Sequence, residues 1–388
     1  MPTHSVNYVG QNALTLLESG TDFFPALIGA IDAACQDIHF ETYIFACDDT
    51  GSAVEHALMR AARRGVKVRV VTDWFGTGNA QSRRLGRAFA EAGVRHRVFN
   101  PWFRRGVTRT HRKIVVIDRA LAFVGGININ DDLLCDYNPA IRLPAPRWDF
   151  AVQVLGPLVA QIHRETQAQW ARVGHLGLIR RFDLFRELRV KARDQGDAPV
   201  QAAFVVRDNL RNRRTIQRAY LQALGRARSS VLMANPYFAP GRKFREALAQ
   251  AARRGVDVTL LIGVGEFWLQ DMVAHSFYPK LLDCGVKVIE YRKTQLHAKV
   301  AVIDDDWSTV GSSNCDGLSL FLNQESNVVV KDAAFARSVR AHIERGILDG
   351  VVIERDHFVR VGRLRRAGHG IAFFFYKLTM RIFAMGYN

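Results

Sequence analysis

Apolar runs alternate with helical patterns in a repeating order along the chain. The string AARRGV occurs at residues 61–66 and again at 251–256, each time after a segment with helical apolar spacing. Each copy leads into a mostly apolar run, VRVVTD or VTLLIG, which is typical of a buried strand. Since strands buried on both faces belong to parallel sheets covered by helices, the pattern predicts an α/β fold.

The same order of parts recurs in the second half of the chain. AGV at 92–94 corresponds to CGV at 284–286, and ETYIF at 41–45 has a weak counterpart, NPYF, at 235–238. The offset between copies stays between about 186 and 194 residues, whereas solenoid repeats are about 20 to 50 residues long. We therefore expect a pseudo-twofold duplication of two lobes, each a mostly parallel β-sheet flanked by helices.

Pattern and composition divide the chain into four segments. Residues 1–172 and 200–355 carry the two copies and are the expected lobes. Residues 173–199 are a glycine-bounded basic linker, which forms either an amphipathic helix on a membrane surface or a helix docked on its own lobe. Residues 356–388 form a basic and apolar tail with helical spacing, either docked on the core or acting as an interfacial anchor.

Both halves contain one polar motif with identical spacing, His-x-Lys-x(4)-Asp-x(6)-Gly-[Gly/Ser]-x-Asn. Its members are His111, Lys113, Asp118 and Asn128 in the first half, and His297, Lys299, Asp304 and Asn314 in the second. Because side chains alternate between the two faces of a strand, the histidine and lysine of each copy share one face. Each half can therefore direct an imidazole and an ammonium at one point, which predicts one shared site between the lobes.

These residue types suit chemistry on a phosphodiester. The lysines can neutralise its charge and the asparagines can donate to its non-bridging oxygens. One histidine can attack phosphorus while the other protonates the departing alcohol, and the symmetry of the halves leaves both assignments open. No histidines stand in metal-ligand spacing, and the chemistry needs neither a metal nor a cofactor, so we expect none.

The duplicated motif resembles the signature of the phospholipase D superfamily. From about Asn12 to Ile353 the chain is similar to the bacterial cardiolipin synthases within it. The strings that carry the resemblance are FETYIF, AARRGVKV, HRKIVVID, GGININ, ANPYFAPG, LHAKVAVID and VGSSNCDGLSLFLNQESNVVV. The resemblance implies phosphatidyl transfer between two phosphatidylglycerol molecules to give cardiolipin and glycerol, through a phosphohistidine on His111, with His297 as the acid and base.

The resemblance also implies supporting residues. Asp149 in RWDF and Glu325 in NQES match the places where family members hold a carboxylate that orients a histidine. Asp118 and Asp304 belong to the catalytic motif, but their opposite strand parity suggests that they anchor it. The alternatives are another phosphatidyltransferase, a phospholipase D hydrolase, or a nuclease of the same superfamily.

The net charge of the chain indicates which class of molecule it binds. The 388 residues include 54 Lys and Arg against 37 Asp and Glu, a net charge of +17, which favours either nucleic acid or an anionic membrane. PWFRRGVTR at 101–109 mixes aromatic and basic residues, as a lipid-binding rim or a base-stacking loop would. With the apolar tail this favours phosphatidylglycerol and a membrane surface over nucleic acid, and the charges leave the oligomeric state open.

Hydropathy limits the kind of membrane contact. Family members of the longer type carry two N-terminal transmembrane helices that this sequence lacks, and no signal peptide precedes the first lobe. The most apolar segment, 371–387, is interrupted by Lys377 and Arg381. We therefore expect a peripheral protein of the cell membrane, on its cytoplasmic side.

Overall fold

The structure is a computed structural model that describes residues 6–136, 138–174, 200–356 and 363–383. Nearly all of the predicted linker 173–199 lies outside these ranges. The choice between its two expected arrangements therefore concerns residues that the structure does not describe. The described residues form two lobes with one large sheet each, which agrees with the expected α/β duplication.

The first lobe contains a seven-stranded sheet in the order β1-β8-β7-β6-β2-β3-β4. Strands β2, β3 and β4 are parallel, and the other neighbours are antiparallel. The strands of this lobe are β1 Ala13–Glu18, β2 Asp37–Thr42, β3 Lys67–Asp73, β4 Arg95–Phe99, β5 Arg104–Val107, β6 Ile114–Ile117, β7 Leu121–Gly125 and β8 Phe150–Leu155. Its helices are α1 Ser19–Ala33, α2 Asp49–Arg63, α3 Trp74–Thr77, α4 Asn79–Glu91, a 3-10 turn Pro101–Phe103, and α5 Leu158–Val173.

The second lobe has an eight-stranded sheet in the order β18-β13-β12-β10-β14-β15-β17-β9 and a small sheet of β11 and β16. In the large sheet β10, β12 and β13 are parallel. The strands are β9 Gln201–Arg207, β10 Ser230–Asn235, β11 Phe238–Ala239, β12 Asp257–Gly263, β13 Lys287–Tyr291, β14 Val300–Ile303, β15 Trp307–Gly311, β16 Cys315–Asp316, β17 Glu325–Lys331 and β18 Gly350–Val352. The helices are α6 Thr215–Arg226, α7 Arg242–Arg253, α8 Trp268–His275, α9 Tyr278–Asp283, α10 Gly317–Phe321, α11 Ala333–Leu348 and α12 Arg363–Phe383.

Both sheets are therefore mixed, with the parallel strands in the βαβ part that carries each AARRGV copy. Helices α2 and α7 end inside that string, and Gly65 and Gly255 follow with φ of +93° and +90°. A left-handed residue after a helix lets the chain reverse direction, and glycine adopts this conformation without a Cβ clash. The repeated string thus encodes the same helix-to-strand connection in each lobe.

The two sheets pack against each other and place the motif strands in the middle of the molecule. Ile114 and Val116 of β6 share one buried apolar cluster with Val300 and Val302 of β14. The alternate residues of β6 face the opposite way, into the core of the first lobe. The strand that carries each motif is therefore buried on both faces, which explains its continuous apolar run.

The tail helix α12 has two apolar faces with different surroundings. Ala372 and Met380 are buried in the core of the second lobe, and the ring of Phe373 packs edge-on against Phe277 with centroids 4.9 Å apart. The side chains of Phe374 and Phe375 are exposed. The helix therefore docks on the core, one of the two expected alternatives, and still presents an apolar face to solvent. Among the described residues no helix is both long and apolar enough to span a bilayer.

Candidate active site

Four backbone hydrogen bonds join the lobes around the two motif histidines. His111 N donates to Gln324 O at 2.8 Å, and Gln324 N donates back to the carbonyl of Arg109. On the other side His297 N donates to Trp148 O at 2.9 Å, and Trp148 N donates to Gln295 O. The backbone of each histidine is thus held at the lobe junction by the residue that comes directly before the other lobe's candidate carboxylate.

The carboxylates pair with the histidines crosswise. His111 Nδ1 lies 3.1 Å from Glu325 Oε2 and also 3.1 Å from the Ser312 carbonyl, while His297 Nδ1 lies 2.5 Å from Asp149 Oδ2. Since both partners of His111 Nδ1 are acceptors, this nitrogen carries the proton and Nε2 keeps its lone pair. The sequence analysis found both carboxylates downstream of the histidines. In the structure each carboxylate contacts the histidine of the other lobe.

Two buried lysines lie beside the histidines. Lys113 Nζ donates to the His111 carbonyl at 2.9 Å, and Lys299 Nζ lies 2.7 Å from His297 Nδ1 and 3.5 Å from Asp149 Oδ2. Burial lowers the pKa of Lys113 to about 7, and the charge of Lys299 adds to the effect. Burial lowers the pKa of Lys299 as well. A bound phosphate anion would offset the cost of holding two ammonium groups out of water.

The histidines and asparagines of both motifs line one cavity of about 510 Å³. Tyr43, Phe75 and Arg109 contribute walls from the first lobe, and Tyr237 and Phe267 contribute walls from the second. Asn128 and Asn314 are almost fully buried, and within the described chain their Oδ1 atoms have no hydrogen-bond partner. The histidine and asparagine side chains of both motifs thus meet at one location. A larger cavity, about 820 Å³, lies beside Tyr8 and Trp307 and contains neither histidine.

The sequence analysis missed a buried polar network at the cavity. Asp136 and Glu266 line the cavity, and Arg147, which lies outside it, links them. The Arg147 guanidinium lies 3.0 Å from Asp136 Oδ1 and donates to Gln295 Oε1 at 3.3 Å, and Gln295 Nε2 donates to Glu266 Oε1 at 2.5 Å. The only sequence signal is that Arg147 stands two residues before Asp149, because the other members lie in segments outside the repeated motif.

The chain matches the family model described as "Cardiolipin synthase, PLD-like domain" over residues 27–139 and 220–347, one stretch in each lobe. It belongs to this cardiolipin synthase, phospholipase D-like family. It is 40% identical over 340 residues to cardiolipin synthase B of Salmonella typhi, covering 86% of this chain and 80% of that protein. The identity to cardiolipin synthase B of Escherichia coli K12 is 39%, covering 86% and 79%.

Solved structures extend the comparison to the fold. The phosphatidylserine synthase of Haemophilus influenzae superposes with a TM-score of 0.69 at 13% identity, covering 97% of this chain and 95% of that one. The polyphosphate kinase of Porphyromonas gingivalis superposes with a TM-score of 0.56 at 14% identity, covering 92% and 53%. At such identities the agreement concerns the arrangement of the two lobes.

The motif aspartates of this family member lie away from the cavity. Asp118 accepts hydrogen bonds from the backbone N–H groups of residues 35–37, and Asp304 accepts from those of residues 228–230. Neither lines the cavity with the histidines. Of the two roles expected for them, the geometry supports anchoring: each aspartate ties the turn after its motif strand to the segment before the neighbouring strand.

One group of metal-ligand type occurs in the described part of the chain, away from the cavity. Ligand atoms of Asp37, His39 and His163 lie within 4.8 Å of one another. However, Arg119 Nη2 lies 2.9 Å from Asp37 Oδ2, and Arg69 Nη1 lies 2.8 Å from His39 Nε2. Two arginines thus already supply positive charge here, which disfavours a cation. The expectation that catalysis needs no metal stays a prediction.

Proposed function

We propose that this protein is a cardiolipin synthase that transfers a phosphatidyl group from one phosphatidylglycerol to a hydroxyl of a second, releasing glycerol. The observation that carries the proposal is that two motif histidines, one from each lobe, line one cavity, and that a buried lysine lies beside each of them. The resemblance to cardiolipin synthase B of two bacteria over most of the chain supports the same substrates.

The first half of the reaction forms a covalent intermediate on His111. The Nε2 lone pair attacks phosphorus and the bond from phosphorus to the glycerol oxygen breaks, with the electron pair leaving on that oxygen. His297 supplies the proton that the departing glycerol requires. In this proposal the two asparagines, which line the cavity, and the two lysines beside the histidines stabilise the charge on the non-bridging oxygens.

The second half reverses these roles. His297 takes the proton from the hydroxyl of the entering phosphatidylglycerol, whose oxygen attacks phosphorus. The bond between phosphorus and His111 breaks, and its electron pair returns to Nε2. One phosphodiester replaces another, so the exchange needs no nucleotide hydrolysis.

Exposed aromatic residues occur on both lobes, and some of them adjoin the cavity. We call Trp102, Phe103, Trp268, Phe374 and Phe375 the aromatic rim; Trp102 and Trp268 are 66% and 73% exposed. Phe103 contacts Phe75, a cavity residue, and Trp268 follows Phe267, another. Helix α8, which begins at Trp268, packs against α12.

Aromatic side chains next to basic ones suit an interface between headgroups and acyl chains. Arg104 is exposed beside Phe103, and the Arg109 guanidinium lies 3.7 Å from the centre of the Phe75 ring. This arrangement supports an anionic membrane surface as the partner and peripheral attachment to the cell membrane; we propose its cytoplasmic side. Lipid headgroups would then enter the cavity directly from the membrane.

The test incubates the full-length protein with phosphatidylglycerol vesicles and separately with a DNA oligonucleotide, and identifies the products by mass spectrometry. Cardiolipin and glycerol in equal amounts support the proposal, and His111→Ala and His297→Ala should each lower the rate by at least about 100-fold. Phosphatidic acid as the main product would instead indicate a hydrolase. Cleaved DNA with unchanged lipid would indicate a nuclease.

A further inference from the structure

The two halves of the cavity differ at one carboxylate. Asp136, in the loop between β7 and β8, places Oδ2 3.8 Å from Nε2 of His297. Its other oxygen, Oδ1, accepts from Asn130 Nδ2 at 2.6 Å and lies 3.0 Å from Arg147 Nη2. Oδ1 is therefore held by two donors, and Oδ2 is left to face the reactive nitrogen of the histidine.

His111 has no such neighbour. In the described chain its only carboxylate partner within ion-pair distance is Glu325, which contacts Nδ1. Nε2 of His111 belongs to a ring packed edge-on against Tyr43, with centroids 4.8 Å apart. The sequence has the same asymmetry: the position eight residues after the motif asparagine is Asp136 in the first half and Leu322 in the second.

The surroundings of Asp136 favour its ionised form. Burial alone would raise its pKa, but the positive charge of Arg147, the neighbouring His297 and the hydrogen bond from Asn130 outweigh burial and lower it. A negative charge near Nε2 repels the anionic phosphodiester from this nitrogen and favours its protonated form. Besides Glu325, the charges that act most on His111 are those of the two lysines, and both lower its pKa.

We propose that Asp136 is a positioning residue that makes the two histidines unequal, keeping His297 as the proton donor and directing the phosphatidyl group to His111. The inference rests on the proposed function. It adds the physical cause of a division of labour that the repeated motif leaves open. The steps are those given above: the proton on His297 Nε2 passes to the departing glycerol, and the bond to phosphorus forms at His111 Nε2.

Other charged groups also act on His297 and stay in place when Asp136 is changed. Lys113 and Lys299 act on it from the two motifs, and Asp149 and Arg147 act on it from β8 and the segment before it. Glu266 also lines the cavity and interacts with Asp136. Removing the Asp136 charge therefore leaves these groups to act alone, and burial with the lysines then lowers the proton affinity of His297 further.

The first test compares Asp136→Asn with wild type in the pH dependence of kcat/KM for phosphatidylglycerol. This parameter reports the first half-reaction, which needs protonated His297. The alkaline limb should move to lower pH, with about a tenfold loss at its alkaline end. A phosphatidyl ester of p-nitrophenol is the control substrate, because its leaving group departs without a proton, so its alkaline limb should not move.

Asp132→Asn is the matched control variant. Asp132 lies in the same loop and also pairs with Arg147, at 3.5 Å, but it does not line the cavity. This variant tests whether a looser loop, or a less firmly held Arg147 side chain, is sufficient to move the alkaline limb of kcat/KM. We expect the alkaline limb of Asp132→Asn to stay in place. An unmoved limb in Asp136→Asn, or an equal movement in both variants, would overturn the inference.

The second test looks for a gain that misfolding cannot produce. With the p-nitrophenyl ester, His111→Ala should form no adduct on His297, whereas His111→Ala combined with Asp136→Asn should form one, located by mass spectrometry of peptides. An adduct on His297 at equal rates in both variants, or in neither, contradicts the role of Asp136. If wild type makes no cardiolipin from phosphatidylglycerol, the proposed function fails instead, which separates the two failures.

Discussion

Nδ1 of His297 lies 2.5 Å from Oδ2 of Asp149, although the two residues are 148 positions apart and belong to different lobes. Glu325 and His111, 214 positions apart, form the second crossed pair at 3.1 Å. Each lobe therefore supplies a histidine and also the carboxylate that orients the other lobe's histidine. A lobe that folded alone would have its imidazole without the partner that fixes the tautomer.

The crossed pairs predict different effects of two isosteric changes. Glu325→Gln should slow formation of the adduct on His111 by on the order of 100-fold with either phosphatidylglycerol or its p-nitrophenyl analogue, because it acts on the nucleophile. Asp149→Asn should slow the reaction with phosphatidylglycerol only, because it acts on the proton donor. Rapid-quench measurement of the adduct distinguishes them. The reverse pattern would show that the carboxylates serve the histidines of their own lobes.

A buried glutamate in the first lobe predicts a pH-dependent stability. Glu41 is 2% exposed, and burial raises its pKa to about 7. The folded protein then holds a proton that the unfolded chain releases near its ordinary pKa, so this group reduces stability as pH rises from about 4.5 to about 7. Glu41→Gln should remove that loss. Relative to wild type, its free energy of unfolding should therefore increase by about 2 to 3 kcal/mol more at pH of about 8 than at about 4.5. Urea unfolding at both pH values measures the difference, and an equal gain at both would exclude burial as the cause.

The exposed face of the tail helix predicts membrane binding without a role in folding. Phe374→Glu with Phe375→Glu should weaken binding to phosphatidylglycerol vesicles at all salt concentrations, because both side chains are about 60% exposed and each contributes roughly 1.5 to 3 kcal/mol when buried. Lys377→Gln with Arg381→Gln should weaken it mainly at low salt, since screening removes their contribution. Vesicle sedimentation measures both.

Activity on lipid dispersed in detergent should survive these changes. Ala372→Asp is the matched control on the docked face of the same helix, where the residue is 6% exposed in the core of the second lobe. It should lower Tm, whereas the phenylalanine pair should not. Loss of detergent activity in the phenylalanine pair would show that this face belongs to the core.

The charges of the two motif lysines predict metal independence. Because Lys113 and Lys299 can neutralise the phosphodiester, activity on vesicles of constant composition should survive EDTA. A rate lost on chelation and restored by a stoichiometric divalent ion would contradict this. Measuring the lipid packing of the vesicles with and without EDTA controls for the effect of cations on the membrane itself.

The tail shows where periodicity stops being informative. Apolar residues at helical spacing predicted a helix near 371–387, and the structure describes a helix over Arg363–Phe383. Spacing could not decide between docking and exposure, because nearly the whole circumference is apolar. The decision depends on contacts with α8 and with the residues between α8 and α9: Phe277 contacts Phe373, and a Cβ on Gly368 would lie 3.2 Å from Met272.

The sequence by itself determined the duplication and the motif strands. It also identified the histidines and asparagines that line the cavity and the lysines beside the histidines. These follow from local rules, since strand periodicity places residues two apart on one face and a repeated string encodes a repeated connection. Only the tertiary structure decided that Asp149 contacts His297, that Asp118 binds the segment before β2, and that Asp136 lies beside one of the two histidines. These pairs are far apart in the sequence, and two of them join different lobes. The energies that select such contacts depend on distances in space, which spacing along the chain does not give.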